Sequence, residues 1–147
     1  MSAFYFDPPG AGPKKGLYSH VGATRAGTFL HIAGQLSFDH AGAFIGENDF
    51  DAQFRQVMSN LGDVLKGCGA SFNDVLKFTT YLTSDRYIEP FMHSRAALFP
   101  TLFSSAQYPP NTLLVISRLV HPGCMLEIEA VAQCTDPAMA ARIGQGK

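Results

Sequence analysis

Five short runs of the chain are rich in β-branched and aromatic residues and are bounded by Gly, Pro, Asn or Asp, which is the pattern of β-strands. They lie at residues 18–25, 28–35, 75–82, 111–120 and 125–134. We expect the first two runs to form a hairpin, because Ala26 and Gly27 alone separate them.

Between the second and third runs, apolar residues recur three and four positions apart, which predicts one face of an α-helix. These residues are Phe50, Phe54, Val57, Met58, Leu61, Val64 and Leu65. Asn48 or Asp49 can cap the start of this helix, and Gly67 or Gly69 can end it. Residues 71–74 have the spacing of a capping box on one short turn.

A second helix is predicted over residues 87–99, ending before Pro100. The order β-β-α-β-α-β-β favours an α+β fold, in which two helices cover one face of a mostly antiparallel sheet. The last two strands carry apolar residues on both sides, which is not typical of a sheet that is wet on one face. We therefore expect a second copy of the chain to cover the other face.

The 147 residues predict one domain at residues 17–135. An extended arm rich in Pro and Gly precedes it at residues 1–16, and a loosely ordered tail follows at residues 136–147. Apolar residues make up 46% of the chain and charged residues 16%, which excludes a disordered protein.

The net charge of −1, without a basic run, argues against nucleic acid as a partner. No apolar run is long enough for a membrane-spanning helix, so no membrane partner is expected. Cys68, Cys124 and Cys134 have neither a CxxC pair nor zinc spacing, which favours a reducing, cytoplasmic location.

Glu127 and Glu129 are two residues apart on a predicted strand and therefore share one face of the sheet. In a covered cleft, one of them can position a water molecule or act as a general base. On an open edge both are solvated carboxylates without a role. The five His do not cluster at metal-binding spacings, and no GxGxxG, P-loop or nucleophile-elbow motif occurs. The residue types alone therefore indicate no metal or cofactor and leave the function open.

A series of short motifs carries more information than any of these residues alone. In chain order they are Tyr18-Ser19-His20-Val21, Ile32-Ala33-Gly34-Gln35, Asp51-Ala52-Gln53-Phe54-Arg55-Gln56-Val57, Gly69-Ala70-Ser71, Asp74-Val75-Leu76-Lys77, Tyr81-Leu82-Thr83, Tyr108-Pro109-Pro110-Asn111-Thr112, Arg118-Leu119 and Glu127-Ile128-Glu129-Ala130-Val131-Ala132. Over residues 18–133 the chain resembles the Rid (YjgF) family of imine and enamine deaminases, which also carries the label L-PSP endoribonuclease.

This resemblance implies a chorismate-mutase-like α+β fold and a ring-shaped homotrimer with small-molecule clefts at its three subunit interfaces. Active members hydrolyse enamines and imines, such as 2-aminoacrylate, to 2-keto acids and ammonia without a metal or a cofactor. In those members an Arg directly after the Pro-Pro pair holds the substrate carboxylate. A Glu on the last strand holds the attacking water.

Glu127 matches the water-holding Glu, although a longer turn at residues 121–124 leaves the register of Glu127 against Glu129 open. Tyr18 matches a residue at the mouth of the cleft. Ala33 stands in place of the usual Ser before Gly and Gln35. By the resemblance, these residues belong to the substrate cleft, with Glu127 in the catalytic role.

Three further cleft positions depart from the family pattern. Met92 stands for an Asn on the second helix, Leu113 for a frequent Cys, and Asn111 for the carboxylate-binding Arg. Asn offers a neutral amide where Arg offers a charged fork. Loss of that charge weakens carboxylate binding by roughly 2–5 kcal/mol. We therefore expect poor turnover of ordinary 2-imino acids.

The sequence thus predicts a hydrolase or deaminase acting on a small, neutral or weakly polar imine, enamine or related compound. The alternative is a non-catalytic small-molecule-binding or interaction protein on the same scaffold. Ribonuclease activity rests on the family label alone. The low charge and the lack of a basic, aromatic stripe argue against it.

Overall fold

The computed structural model describes residues 3–145. Its elements are β1 (Phe4–Phe6), β2 (Val21–Ala23), β3 (Thr28–Gln35), α1 (Phe50–Gly67), β4 (Val75–Leu82), α2 (Ile88–Leu102), β5 (Asn111–Val115), β6 (Leu126–Cys134) and α3 (Pro137–Gly144). Short 3₁₀ turns at Phe72–Asp74 and Asp85–Tyr87 precede β4 and α2. No helix in this part of the chain is long and apolar enough to cross a membrane.

The main sheet has the strand order β3-β6-β4-β5. Strand β6 pairs antiparallel with β3 and β4, whereas β5 pairs parallel with β4 at the edge. A parallel neighbour needs a crossover connection, and α2 supplies it. The predicted α+β fold with a mostly antiparallel sheet is therefore confirmed.

Both long helices pack on the same face of this sheet and form the main core. Strand residues alternate inward with period two, and the apolar stripe of α1 meets them. The buried core includes Leu30, Ile32, Phe54, Leu61, Phe78, Leu82, Phe91, Leu126 and Ile128. Burial of each such side chain contributes about 1.5–3 kcal/mol to folding.

The predicted ends of α1 are confirmed. The Asp49 carboxylate accepts a hydrogen bond from the backbone N–H of Ala52 at 3.0 Å, and the helix ends at Gly67. The predicted capping box is also present on its short turn, where the backbone N–H of Ser71 donates to the Asp74 carboxylate at 2.8 Å. Local side-chain chemistry therefore determines both boundaries.

The predicted hairpin between the first two strands was wrong. Strand β2 pairs with β1, inside the segment that was expected to be an extended arm, and not with β3. Tyr5 explains this pairing, because its ring is buried beside Leu76 and its hydroxyl donates to the Val75 carbonyl at 2.6 Å. A long-range contact therefore prevails over the local turn signal.

Three other boundaries differ from the prediction. Helix α2 continues through Pro100 to Leu102, where the rings of Phe99 and Phe103 pack 5.0 Å apart and hold its last turn. Strand β5 ends at Val115 because its register partner, Leu82, is the last residue of β4. The segment predicted as a loosely ordered tail contains α3.

The second face of the main sheet is not covered by the long helices. It carries His31, Ala33, Lys77, Thr79, Tyr81, Thr112, Leu114, Glu127, Glu129 and Val131, and we call it the open face. Phe29 and Leu114 on this face are 58% and 42% exposed. Large apolar groups on an open sheet face are typical of a surface that meets another protein chain.

Candidate functional site

The alternation of β6 brings Glu127 and Glu129 to the open face, where both are half-buried. The side chain of Glu127 lies directly against Gly34. A Cβ atom at position 34 would overlap with the Glu127 carboxylate. Glycine at this position therefore allows the carboxylate to lie over the end of β3.

The two carboxylates differ in their surroundings. The Tyr81 hydroxyl donates a 2.7 Å hydrogen bond to Oε1 of Glu129, and this bond raises the pKa of Tyr81. No hydrogen-bond donor within residues 3–145 contacts the carboxylate of Glu127. Glu127 therefore has oxygen lone pairs that are free to hold a water molecule or a ligand.

Burial raises the pKa of Glu127, and the nearby negative charge of Glu129 raises it further. A raised pKa brings a carboxylate closer to the pH at which it accepts and returns protons efficiently. Paired titratable groups in different environments are also typical of catalytic sites.

Ala33 and Gln35 lie at the same end of β3 as Gly34, next to Glu127. The register of β3 against β6 shifts between Ile32 and Gln35, which marks a β-bulge at this point. The Gln35 amide donates to the backbone carbonyl of Ala33 at 3.0 Å. Two predicted site residues, Ala33 and Gln35, therefore lie in the strand segment beside Glu127, and Ala33 shares its face of the sheet.

Asn111 and Leu113 lie on the other side of the sheet. They pair in register with Phe78 and Thr80, whose side chains face the helices. The Thr80 hydroxyl donates to Oδ1 of Asn111 at 2.8 Å. Leu113 packs against the main core. The amide nitrogen of Asn111 is thus the part of its side chain that remains available as a donor.

Tyr18 and Met92 meet at Arg95, a residue that the sequence analysis did not single out. The Nη2 atom of Arg95 donates to the sulfur of Met92 at 3.0 Å. Its guanidinium lies beside Gly16 and Tyr18. Phe91, Arg95 and Phe99 are spaced four residues apart and therefore share one face of α2. That spacing was the sequence signal for a cation within the core.

The structure therefore separates the predicted site residues into two groups on opposite faces of the sheet. We call Glu127 and Ala33 the carboxylate group, on the open face. Gln35 lies in the adjoining strand segment but pairs with the core residue Ile128 and therefore faces the helices. We call Tyr18, Met92, Asn111 and Leu113 the helix-side group, on the face covered by α1 and α2. Opposite faces of one sheet cannot contact the same small molecule.

A cavity of about 440 Å³ also lies on the open face, between β2 and the edge of the main sheet. It is lined by His20, Val21, Gly22, Leu76, Lys77, Pro110, Thr112 and Val131. None of the predicted site residues lines it. Within residues 3–145, no group of three or more His, Cys, Asp or Glu side chains is placed to hold a metal ion.

Comparison with known proteins places this geometry in context. Residues 11–134 match the family model described as Endoribonuclease L-PSP. A RutC family protein from Pyrococcus horikoshii is 35% identical over 117 residues, which cover 80% of this chain and 86% of that protein. The human 2-iminobutanoate/2-iminopropanoate deaminase is 29% identical over 103 residues, which cover 70% of this chain and 71% of that protein.

Solved structures agree with these matches. YyfB from Yersinia pestis, of the conserved Rid protein family, superposes with a TM-score of 0.78 and is 29% identical. The superposition covers 91% of this chain and all of YyfB. The family resemblance found in the motifs is therefore confirmed, and the chain belongs to the Rid (YjgF) proteins of the Endoribonuclease L-PSP family.

Proposed function

We propose that the protein hydrolyses a small imine or enamine in clefts between the copies of a homotrimer. The observation that carries this proposal is Glu127, a half-buried carboxylate with a raised pKa and no hydrogen-bond donor from residues 3–145. The similarity to the human deaminase supports the same class of reaction.

The two groups of predicted residues support the homotrimer. The carboxylate group lies on the open face, and the helix-side group lies near β5, the edge strand of the sheet. If the open face of one copy meets the β5 edge of the next, both groups line one cleft. Such head-to-tail contacts close into a ring of three when each copy is rotated by a third of a turn from the last. The exposed Phe29 and Leu114 are then buried between copies.

In this cleft Glu127 acts as the general base. The reacting species is the protonated imine, which also forms when an enamine takes a proton on carbon. A water molecule attacks its carbon, the C=N electron pair moves to nitrogen, and Glu127 takes a proton from the water as the C–O bond forms. The resulting neutral carbinolamine carries a hydroxyl and an amino group. Glu127 returns the proton to nitrogen, the C–N bond breaks as the carbonyl forms, and the departing ammonia or Glu127 takes the hydroxyl proton.

Asn111 contributes no positive charge to this cleft. Its Oδ1 atom is engaged by Thr80, so it offers its amide nitrogen as a neutral donor. A carboxylate held from position 111 would gain a hydrogen bond without the charge that an Arg supplies. The expectation of a neutral or weakly polar substrate rests on this position.

The test is turnover of imines generated in situ, with 2-aminoacrylate and uncharged imines of similar size compared side by side. We expect Glu127→Gln to lower turnover by about 100-fold or more, because it removes the general base. This variant should still bind the carbonyl product of the reaction. Glu129→Gln is the matched control and should retain turnover within a few-fold.

Two results would contradict the proposal. The first is equal turnover by Glu127→Gln and the native protein. The second is ligand binding by the native protein without turnover of any imine, which would favour the non-catalytic binding protein instead.

A further inference from the structure

Residues 121–125 lead directly into β6, the strand that carries Glu127, and we call this segment the entry turn. The backbone N–H of Cys124 closes the turn by donating to the His121 carbonyl at 3.1 Å. Its last residue, Met125, lies two positions before Glu127, and its carbonyl accepts from the backbone N–H of Thr83 at 3.1 Å. The place where β6 begins, and with it the place of Glu127, therefore depends on how this turn is held.

The side chain of Gln53 on α1 holds the entry turn from inside the molecule. Gln53 is 0% exposed. Its amide nitrogen donates to the carbonyls of Gly123 and Gly46 at 2.9 and 3.0 Å. Its Oε1 atom accepts from the backbone N–H of Met125 at 2.8 Å. Three of the four hydrogen bonds that a Gln amide can make are thus formed with backbone groups, two of them in the entry turn.

These two groups of the entry turn lie outside the ladder of the sheet. The pairing of β6 with β4 begins at Leu126, one residue after Met125. Buried peptide groups need hydrogen-bond partners, and a buried amide side chain is costly unless it is bonded in return. Gln53 therefore links α1 to the start of β6 across some seventy positions of sequence.

The imidazole of His121 holds the same turn from outside. Its Nδ1 atom accepts from the backbone N–H of Gly123 at 3.0 Å, and its ring centre lies 4.6 Å from that of Phe44. A Cβ at position 123 would come within 3.0 Å of both rings, so the turn fits closely between them.

We propose that Gln53 is a positioning residue, which acts through the entry turn to hold the Glu127 carboxylate against Gly34. This inference rests on the proposed function and adds the part of α1 that fixes the general base. Its physical reason is that a reacting group must be held to a fraction of an ångström, since an error of about 1 Å lowers turnover by roughly 100-fold. Such precision requires that the supporting residues are themselves locked by hydrogen bonds.

The first test is turnover of imines generated in situ by Gln53→Met, in which an unbranched apolar side chain replaces the amide. We expect kcat to fall by about 10- to 100-fold while KM changes by less than a few-fold, because the base moves and the rest of the cleft does not. Met58→Ala is the matched control. Met58 is a buried core residue of the same helix, so its truncation also lowers the melting temperature, but kcat should stay within a few-fold of the native value.

The second test follows the carboxylate of Glu127 without any substrate. The chain has only four Glu, at positions 47, 89, 127 and 129. Carbon-13 NMR can therefore follow each carboxyl through a pH titration, and Glu127→Gln identifies the signal of Glu127. Burial is the first cause of its raised pKa. Gln53→Met should lower that pKa, since a displaced carboxylate moves toward water, and Met58→Ala should not.

Neither variant alters the titratable groups that interact electrostatically with Glu127. These groups are Glu129, Tyr81 and Cys124. A change in the pKa of Glu127 would therefore report a change in its position.

His121→Phe keeps the proposal testable if Gln53→Met does not fold. This variant retains a ring beside Phe44 and removes only the acceptor for Gly123, and His121 is half-buried rather than in the core. We expect the same two changes in the same direction, with a smaller loss of kcat. An unchanged kcat in the folded Gln53→Met variant would overturn the proposal. So would a lowered kcat with an unchanged pKa of Glu127, because Gln53 would then act on stability alone.

These outcomes separate the two proposals. Full turnover by Glu127→Gln refutes the proposed function, whereas the NMR titration still shows whether Gln53 holds the carboxylate in place. Turnover that depends on Glu127 but not on Gln53 refutes this inference alone.

Discussion

The carboxylate group and the surroundings of Arg95 are opposite in nearly every respect. Glu127 is half-buried, lies on the open face and adjoins a second negative charge. Arg95 is fully buried, lies among aromatic rings and has no negative neighbour. Within residues 3–145, the carboxylate group has no positive charge of its own, and the surroundings of Arg95 have no negative charge. If two copies of the chain combine these regions, as proposed, each supplies the charge that the other lacks.

The largest effect is expected from a change on the open face that leaves every charged residue in place. Gly34→Ala places a methyl group where the Glu127 carboxylate lies. The carboxylate must then move, and an error of about 1 Å in its position lowers turnover by roughly 100-fold. The measurement is turnover of imines generated in situ.

Gly67→Ala is the matched control for that variant, because a Cβ at position 67 meets no atom within 4 Å. It should behave like the native protein. Full turnover by Gly34→Ala would show that the placement of Glu127 over β3 has no catalytic importance.

A smaller effect is expected on the helix side. Asn111→Arg adds a second positive fork to the region that contains Arg95. We expect it to raise 2-oxobutanoate affinity by about tenfold or less, because a charge-assisted bond is gained while two cations repel each other. Calorimetry measures this gain. Ser117→Arg, an exposed position beyond the end of β5, should leave affinity unchanged. No gain in Asn111→Arg would place position 111 outside the cleft.

The smallest effect concerns pH. The pKa of Glu127 is raised by burial first and by the charge of Glu129 second. A general base works only when deprotonated, so kcat/KM should fall as the pH drops through this raised pKa. Glu129→Gln removes the second cause and should move the acidic limb of the pH profile toward lower pH. An acidic limb that stays at the same pH, or moves to higher pH, would show that the charge of Glu129 does not raise the pKa of Glu127.

Local patterns were sufficient for much of the fold. The 3.6-residue period of α1, its Asp49 cap and the alternation of β6 all depend on residues close in sequence, and the structure agrees with each. The pairing of β1 with β2 depends instead on the burial of Tyr5 against Leu76, some seventy positions away. No local signal describes that contact, so a hairpin was predicted in its place.

The candidate site, like the fold, could be predicted from local sequence only in part. Glu127 and Glu129 could be assigned to one face from their spacing alone, but only the bond from Tyr81 to Glu129 distinguishes their surroundings. Arg95 was overlooked because a single arginine in a helix is usually solvated. Its burial depends on how α2 is rotated toward the sheet and toward Gly16, and that rotation is a property of tertiary packing.

The separation of Glu127 and the helix-side group onto opposite faces also has a genetic consequence. In a ring assembled as proposed, each cleft is the joint property of two neighbouring chains. A chain damaged at Glu127 still lends an intact helix side to one neighbour, and a chain damaged in the helix-side group still lends an intact open face to the other. Two defective alleles expressed together would therefore restore working clefts that neither produces alone.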